Sequence, residues 1–487
     1  KFYYLAFNLN YISCSTLQIT QSRYLMKIIV ALIGNNFSKM TAENVQANKM
    51  PQYIAGLSST LGALAAGSDG VDFEQYPYEL KITPDQFSWV GSLTTLGSAA
   101  ICIPIGLLAD LVGRKYTMLM MVVPFTLGWL LIICANSVLM LYFGRFITGI
   151  SGGGFCIAAP MYTAEISESE IRGTLGNYFQ LLLCVGILLS YLLGSFMDLR
   201  ILSIISAIVP LIFFAIFVFM PESPIYYLKK GKEEAAQQSL IKLRGAHYNV
   251  DDELRSLKEA LARTSAQKIS VLTMFKSKAV IRGFIIAYGL MIFQQLSGVN
   301  TVIFYASGIF TEAGSSLEPK YASIIVGVVQ VIGVFASTMI VDRLGRRILL
   351  MASIIFLFLM SFILGVYFYL SENRPDVSRE ISWLPLLAVC IFIIMFNFGF
   401  GPLPWMMVGE IFSPEVKGVA ASSAGVLNWL LAFIITKFYN NLKEAISVSG
   451  AFWLYSGFSL IGIFFVYFLI PETKGKSLDE IQKELNR

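Results

Sequence analysis

Residues 294 to 305 read QQLSGVNTVIFY, and they place Gln294, Gln295, Ser297 and Asn300 within seven positions of otherwise apolar sequence. Such side chains do no covalent chemistry, but they donate and accept hydrogen bonds without carrying charge. Facing hydrocarbon, each would lose its water at a cost on the order of several kcal/mol unless a partner replaced it. Something other than lipid must therefore meet them. At about 100° per residue, Gln294, Ser297 and Asn300 share an arc of roughly 120°, and Gln295 falls about 100° outside it. A helix break near Gly298 would let all four converge.

The elements that must position this cluster are membrane spans. Of 487 residues, 56% are hydrophobic and 14% charged, and mean hydropathy is +0.68. A soluble chain carries about a quarter charged residues. Apolar windows of about 19 residues place twelve spans at 50–68, 87–109, 116–135, 138–163, 173–196, 200–220, 280–311, 321–341, 347–370, 383–411, 418–439 and 447–470. Lys and Arg concentrate in the connections that lie inside if both termini are cytoplasmic, which sets the topology. The net charge of +5 thus gives no reason to expect nucleic acid. Cysteines at 14, 102, 134, 156, 184 and 390 suggest neither a disulfide framework nor a metal site, and His247 is the sole histidine. No nucleophile, base and metal set converges, so the chain reads as a non-enzyme without a cofactor.

An internal repeat divides the chain. DLVGRK at 110–115 recurs as DRLGRR at 342–347, AEISESEIRG at 164–173 as GEIFSPEVKG at 409–418, and PESP at 221 as PETK at 471. The expected organisation is an N-terminal segment 1–48, a six-helix bundle 49–220, a cytoplasmic helical linker 221–279, a second bundle 280–470 and a short cytoplasmic tail 471–487. Residues 1–48 show no helical or strand period; the chain opens on Lys1, and Met26 or Met40 is a candidate start. Asn36 begins a sequon that this topology places inside, where it escapes glycosylation.

Each repeated motif joins acid and base at a span end: Asp110 with Arg114, Glu165 with Arg172, Asp342 with Arg346 and Arg347, and Glu410 across from Lys417. One reading is ordinary charged loop sequence that stops a span. The other is that these groups, with Glu222 and Glu472, bridge neighbouring helix ends and close the inner mouth in one state. Gly152 to Gly154 would allow close helix approach, Pro402 and Pro404 should kink the tenth span, and Met406 and Met407 read as core.

DLVGRK, DRLGRR, GRFITG at 144–149, PESP, QQLSGVN, GPLPW at 401–405 and PETKG at 471–475 together resemble the sugar porter branch of the major facilitator superfamily, and within it the insect facilitated trehalose and glucose transporters. The resemblance covers 50–475. It implies an all-α membrane protein of twelve helices in two pseudo-symmetric bundles, alternating access, and a sugar as the small-molecule partner in the plasma membrane. It further implies a sugar site made of Gln180, Gln294, Gln295, Asn300, Gln330 and Asn428, with Trp405 as the ring over the sugar and Trp429 as either contact or packing. Neutral amides suit an uncharged polyol better than carboxylates or lysines would.

Two positions depart from the pattern. Asn397, which the resemblance also places in the sugar site, stands where the glucose carriers have an acid. Asp69 stands where proton-coupled members carry an acid and uniporters a neutral residue. It could pair with Arg145 and couple protons, or lie in the outer aqueous mouth, where the acidic run VDFEQYPYE begins, with no coupling role; the second reading is favoured. The expected function is facilitated movement of glucose, another hexose or trehalose. Proton symport and a non-transporting sugar sensor are the alternatives, though a sensor would need a longer tail than the residues after Pro471 provide.

Overall fold

The computed structural model describes residues 49–53, 82–168, 171–245, 248–266, 277–314 and 317–486. The expectations for residues 1–48, for most of the first span, for Asp69 and for His247 fall outside that set, as do the side chains of Arg172 and Asp342. Every regular element among the described residues is a helix.

In the first half these are α1 (Pro84–Val112), α2 (Arg114–Ile133), α3 (Val138–Ile166), α4 (Arg172–Phe196) and α5 (Leu199–Phe217). A connecting segment forms α6 (Pro224–Lys229), α7 (Glu233–Arg244) and α8 (Val250–Ala266). The second half contains α9 (Lys278–Leu296), α10 (Val299–Phe304), α11 (Ala306–Glu312), α12 (Pro319–Leu344), α13 (Arg346–Asn373), α14 (Pro375–Glu380), α15 (Leu384–Phe398), α16 (Leu403–Ile411), α17 (Pro414–Leu469) and α18 (Leu478–Asn486). Among the described residues, ten stretches are long and apolar enough to cross a membrane. The last of them holds two spans joined at Ser447 (φ 65, ψ 171), so ten become eleven of the twelve expected. Ser447 stands in backbone space that only glycine occupies readily. Helices alternate between the end that carries the repeated charged motifs, here the motif end, and the far end.

Local signals start the helices. Thr83 caps α1 through a reciprocal pair with Gln86, whose N–H donates to the threonine hydroxyl at 3.2 Å while the glutamine side chain accepts from Thr83 N–H at 3.0 Å. Ser137 caps α3 in the same manner, by accepting from Met140 N–H. Each half then packs its own core. Rings dominate in the first, where Phe155 and Phe213 meet edge to face at 5.0 Å and Phe213 stacks on Phe217 at 4.9 Å. Leu290, Ile354, Phe392 and Met407 are fully buried in the second. Large apolar side chains such as Leu107, Leu111, Phe219 and Phe468 remain exposed, as a lipid-facing surface requires.

The halves meet along two seams, α1 against α17 and α4 against α12. Close approach within the first half depends on glycine. A Cβ on Gly149 would stand 2.1 Å from Thr94 O, one on Gly97 2.2 Å from Phe146 O, and one on Gly153 2.6 Å from Ser98 Cα. Ser98 Oγ donates to Gly149 O at 2.9 Å across this crossing. Of the glycines expected to serve it, Gly153 does so, whereas Gly154 faces Met121.

Outside the spans, α7 and α8 bury Ala236, Leu240, Val250 and Leu254 together. Arg244 pins them to the first half, donating to Ile166 O at 2.8 Å and pairing with Glu253 at 2.6 Å. The tail folds as α18, which buries Ile481 and Leu485. Gln482 donates from it to Ile411 O at 2.5 Å, and Asn486 accepts from Ala279 N–H at 3.1 Å.

Gly149→Ala should lower stability by about 1–3 kcal/mol, because backbone on the neighbouring helix cannot yield to the added methyl. Gly176→Ala, with nothing within 4 Å of its new Cβ, should not. Thermal unfolding of the two purified variants in detergent checks the pair; equal melting temperatures would contradict the packing described.

Candidate functional site

Two helix breaks build the site. The first follows Leu296: Gly298 adopts φ +82, ψ 12, and α10 restarts at Val299. Glycine is needed there on two counts, since any Cβ would also stand 2.5 Å from the Tyr455 ring. The second break separates α15 from α16 at Gly399–Pro402, where the chain passes so close to α13 that a Cβ on Gly399 would meet Ser353 Cβ at 2.4 Å. The break expected near Gly298 and the kink expected at Pro402 and Pro404 are thus both present within the spans 280–311 and 383–411, and each interruption frees backbone polar groups at mid-span.

A chain of neutral amides joins the breaks. Gln294 Nε2 donates to the carbonyls of Phe400 at 2.5 Å and Gly401 at 3.1 Å. Asn428 Nδ2 donates to Gln294 Oε1 at 2.5 Å, Gln295 Nε2 to Asn428 Oδ1 at 3.0 Å, and Asn300 Nδ2 to Gln295 Oε1 at 2.5 Å. All links run in one direction, from Asn300 toward the freed carbonyls. Gln294, Gln295 and Asn428 are buried and Asn300 is half-buried, so the accessible end of the chain is Asn300.

The other expected site residues are placed differently. Asn397 is buried and donates to the backbone carbonyl of Gln330 at 3.4 Å, which ties α15 to α12. The Gln330 side chain is also buried, and its Oε1 has no hydrogen-bond partner. Gln180, half-buried on α4, approaches Cys184 Sγ at 3.8 Å. Trp405 is 40% exposed, unusual for a ring in the middle of a bundle. Its outer ring carbons lie 3.8 Å, and Cys102 Sγ of α1 3.5 Å, from where a Gly425 Cβ would stand. The indole thus reaches the seam between halves. Arg145 is buried in the first half and donates from Nε to Val90 O at 3.2 Å.

The repeated motifs fold into one design used twice. Glu222 accepts from the backbone N–H groups of Arg114 and Lys115 at 3.0 Å each, and Glu472 does the same for Arg346 at 3.0 Å and Arg347 at 3.1 Å. Each carboxylate caps the N-terminus of the next helix. Gly113 (φ +105) and Gly345 (φ +93) make room, since a Cβ at either would collide with that carboxylate. Arg114 pairs with Glu165 at 2.8 Å and Asp110 at 3.1 Å, and Arg346 pairs with Glu410 at 3.1 Å. Arg347 turns outward to Tyr467 O at 2.5 Å. These contacts each join helix ends of one half, so in this state they brace a half rather than bridge the two.

Contacts between the halves gather at the far end. Tyr191 OH donates to Ile303 O at 2.6 Å, Phe87 and Tyr305 lie 6.4 Å apart, and Trp89 and Phe433 lie 5.8 Å apart. Lys437 pairs there with Asp85 at 2.6 Å. Nothing in the motif analysis pointed to Lys437; a lone basic residue within TKFYNN at the edge of an apolar run was the available signal.

Two helical halves that meet at broken spans define a membrane carrier of the major facilitator fold. The chain belongs to the sugar transporter family: residues 31–485 match the family described as "Sugar (and other) transporter". It is 41% identical over 406 residues to the facilitated trehalose transporter Tret1 of Bombyx mori, covering 83% of this chain and 80% of that one. It is 38% identical over 471 residues to the Tret1-2 homolog of Drosophila sechellia, covering 94% and 96%. Among solved structures, it resembles the proton:xylose symporter XylE bound to 6-bromo-6-deoxy-D-glucose, with TM-score 0.74, 23% identity, and coverage of 90% and 100%. It also resembles the partially occluded inward open xylose transporter XylE from E. coli, with TM-score 0.72, 24% identity, and coverage of 88% and 99%. At these identities the solved structures establish the fold. The protein is a multi-pass sugar transporter and not an enzyme.

The two capping carboxylates differ in acidity. Burial raises Glu222 above its ordinary value, against its backbone donors and Arg114. For Glu472 the upward pull of burial is outweighed by the N–H groups of Lys474, Arg346, Arg347 and Thr473, which hold the carboxyl below 4.5. Glu472 is thus more acidic folded than unfolded. Its contribution is present above 4.5 and lost as pH falls through the lower folded value. The melting-temperature gap between wild type and Glu472→Gln should therefore be widest near neutrality and close on acidification. A gap independent of pH would contradict the assigned role.

Proposed function

We propose that this protein is a facilitative carrier that moves a neutral sugar, trehalose or glucose, across the plasma membrane by alternating access, with the motif end and both termini in the cytoplasm. The observation that carries the reading is the unidirectional chain of buried neutral amides ending at half-buried Asn300. An amide that donates and accepts can exchange its amide partner for a hydroxyl at little net cost, because the number of hydrogen bonds is conserved. Binding is then modest and release is easy, as a carrier requires.

Each proposed ligand has a part. Asn300 and Gln295 open their mutual bond to admit hydroxyls, while Gln294 and Asn428 hold the chain to the second break. The Gln330 Oε1, without a partner in the protein, accepts from a sugar O–H, and Trp405 lays its face on the C–H side of the ring. Gln180 approaches from the first half. Asn397, engaged with α12, replaces a strong acceptor by a neutral donor and shapes the pocket wall. The relatives named as facilitated trehalose transporters favour trehalose. The bracing charges Asp110, Arg114, Glu165, Glu222, Arg346, Arg347, Glu410 and Glu472 keep each half rigid as it rocks.

Cells expressing the chain should take up labelled trehalose or glucose, each competing with the other if they share the site. Asn300→Ala and Gln295→Ala should raise KM about three- to tenfold, the worth of one hydrogen bond, and Trp405→Ala should do so at unchanged surface expression. No accumulation above control, with the protein at the surface, would contradict the reading. Faster uptake at acidic external pH that disappears in Asp69→Asn would instead assign proton coupling to Asp69 and Arg145.

A further inference from the structure

Lys437 sits on α17 in the second half, with its side chain 5% exposed, yet its charged contacts lie in the first half. Its ammonium donates to Asp85 Oδ1 at 2.6 Å and to Ser88 Oγ at 3.1 Å, and it lies 4.9 Å from the centre of the Trp89 ring. Phe438 supplies a second ring at 5.8 Å. All three first-half partners fall in the opening turns of α1, which Thr83 and Gln86 fix by their reciprocal cap. Asp85 lies in the first turn, where the helix dipole favours its charge. Ser88 Oγ donates to Asp85 O at 2.7 Å and so presents its lone pairs to the lysine.

We propose that Lys437 and Asp85 are a gating pair of the transport cycle, a charged latch that holds the far ends of the two halves together and must part each time they separate. The assignment rests on the carrier reading for its effect on uptake, but not on the sugar or on the amide chain. Three properties suit a latch better than a static brace. The pair joins bodies that move relative to one another, unlike Arg114 with Glu165 or Arg346 with Glu410. Asp85 keeps 63% of its side chain in contact with solvent, so solvent screening keeps the attraction modest and the contact can reverse. Separation carries the lysine from between two rings into water, where its charge is hydrated, so the open state leaves no unpaired buried ion.

The unequal burial predicts an order of effects. Lys437→Met removes the cation, keeps the apolar stem, and leaves Asp85 solvated at its own helix N-terminus. Asp85→Asn leaves a buried ammonium with Ser88 and the rings alone, and so penalises the closed far end more. Distances between spin labels test this in the full-length protein in lipid nanodiscs without sugar. Ketone-bearing unnatural residues at Asn136 and Asn373 would report the far end, and at Lys232 and Lys474 the motif end, with the six native cysteines left in place. Relative to wild type, Lys437→Met should raise the far-open population about two- to fivefold and Asp85→Asn should raise it further. The motif-end distance should shorten in the same samples. Unchanged far-end distances in both variants, with each monodisperse and folded, would overturn the proposal. Far-end lengthening without motif-end shortening would also overturn it, since the pair would then be a local staple. Failure of sugar uptake in wild type, with these distances as expected, would sink the carrier reading and leave the latch standing.

Discussion

A polar group inside a bilayer must be hydrogen-bonded, and this constraint organises the second half of the protein. Two spans are broken at mid-depth, and each break releases backbone carbonyls and N–H groups that lipid cannot satisfy. Gln294 answers the carbonyls of Phe400 and Gly401, Asn428 answers Gln294, and Gln295 and Asn300 extend the chain until it reaches a half-buried position. The breaks therefore require the amides, and the amides hold the breaks. A cluster that would be prohibitively costly against acyl chains becomes stable because its members satisfy each other, and it stays exchangeable because none is charged.

The two halves must be stiff for such a site to work. The duplicated motifs supply stiffness by the same geometry in both: a positive-φ glycine, a carboxylate capping the following helix, and an arginine paired to the next span. Close packing of aromatic and aliphatic side chains within each half completes the two bodies. Besides the helix seams of α1 with α17 and α4 with α12, the contacts that join them among the described residues include rings, a tyrosine hydroxyl on a backbone carbonyl, and a half-solvated ion pair at the far end. Charged braces confined to each half, with few charged links between the halves among the described residues, are what a rocking mechanism needs.

Most of the architecture was legible in the sequence, because membrane spans announce themselves by apolar length and the repeat by matching motifs. The break at Gly298 was legible for a sharper reason: Gln295 lies off the arc shared by Gln294, Ser297 and Asn300, so convergence required a kink. The break at Gly399–Pro402 followed from its prolines. Other features depend on which surfaces become neighbours, and periodicity cannot supply that. The motif charges pointed to helix ends but not to whether their partners lay in the same half. Asn397 is a sugar-site position by resemblance, and only the fold shows that its amide also ties α15 to the backbone of α12. Lys437 was missed because one lysine near the end of a span resembles a side chain reaching for the interface; its meaning comes from Asp85, in sequence more than three hundred residues away.

The most direct measurement is a high-resolution structure of the protein with trehalose or glucose bound. Sugar oxygens should lie within hydrogen-bonding distance of Gln295, Asn300 and Gln330, the Gln295–Asn300 bond should be replaced by contacts to hydroxyls, and the Trp405 ring should cover the sugar. A sugar bound elsewhere, with the chain of amides intact and untouched, would contradict the proposed site.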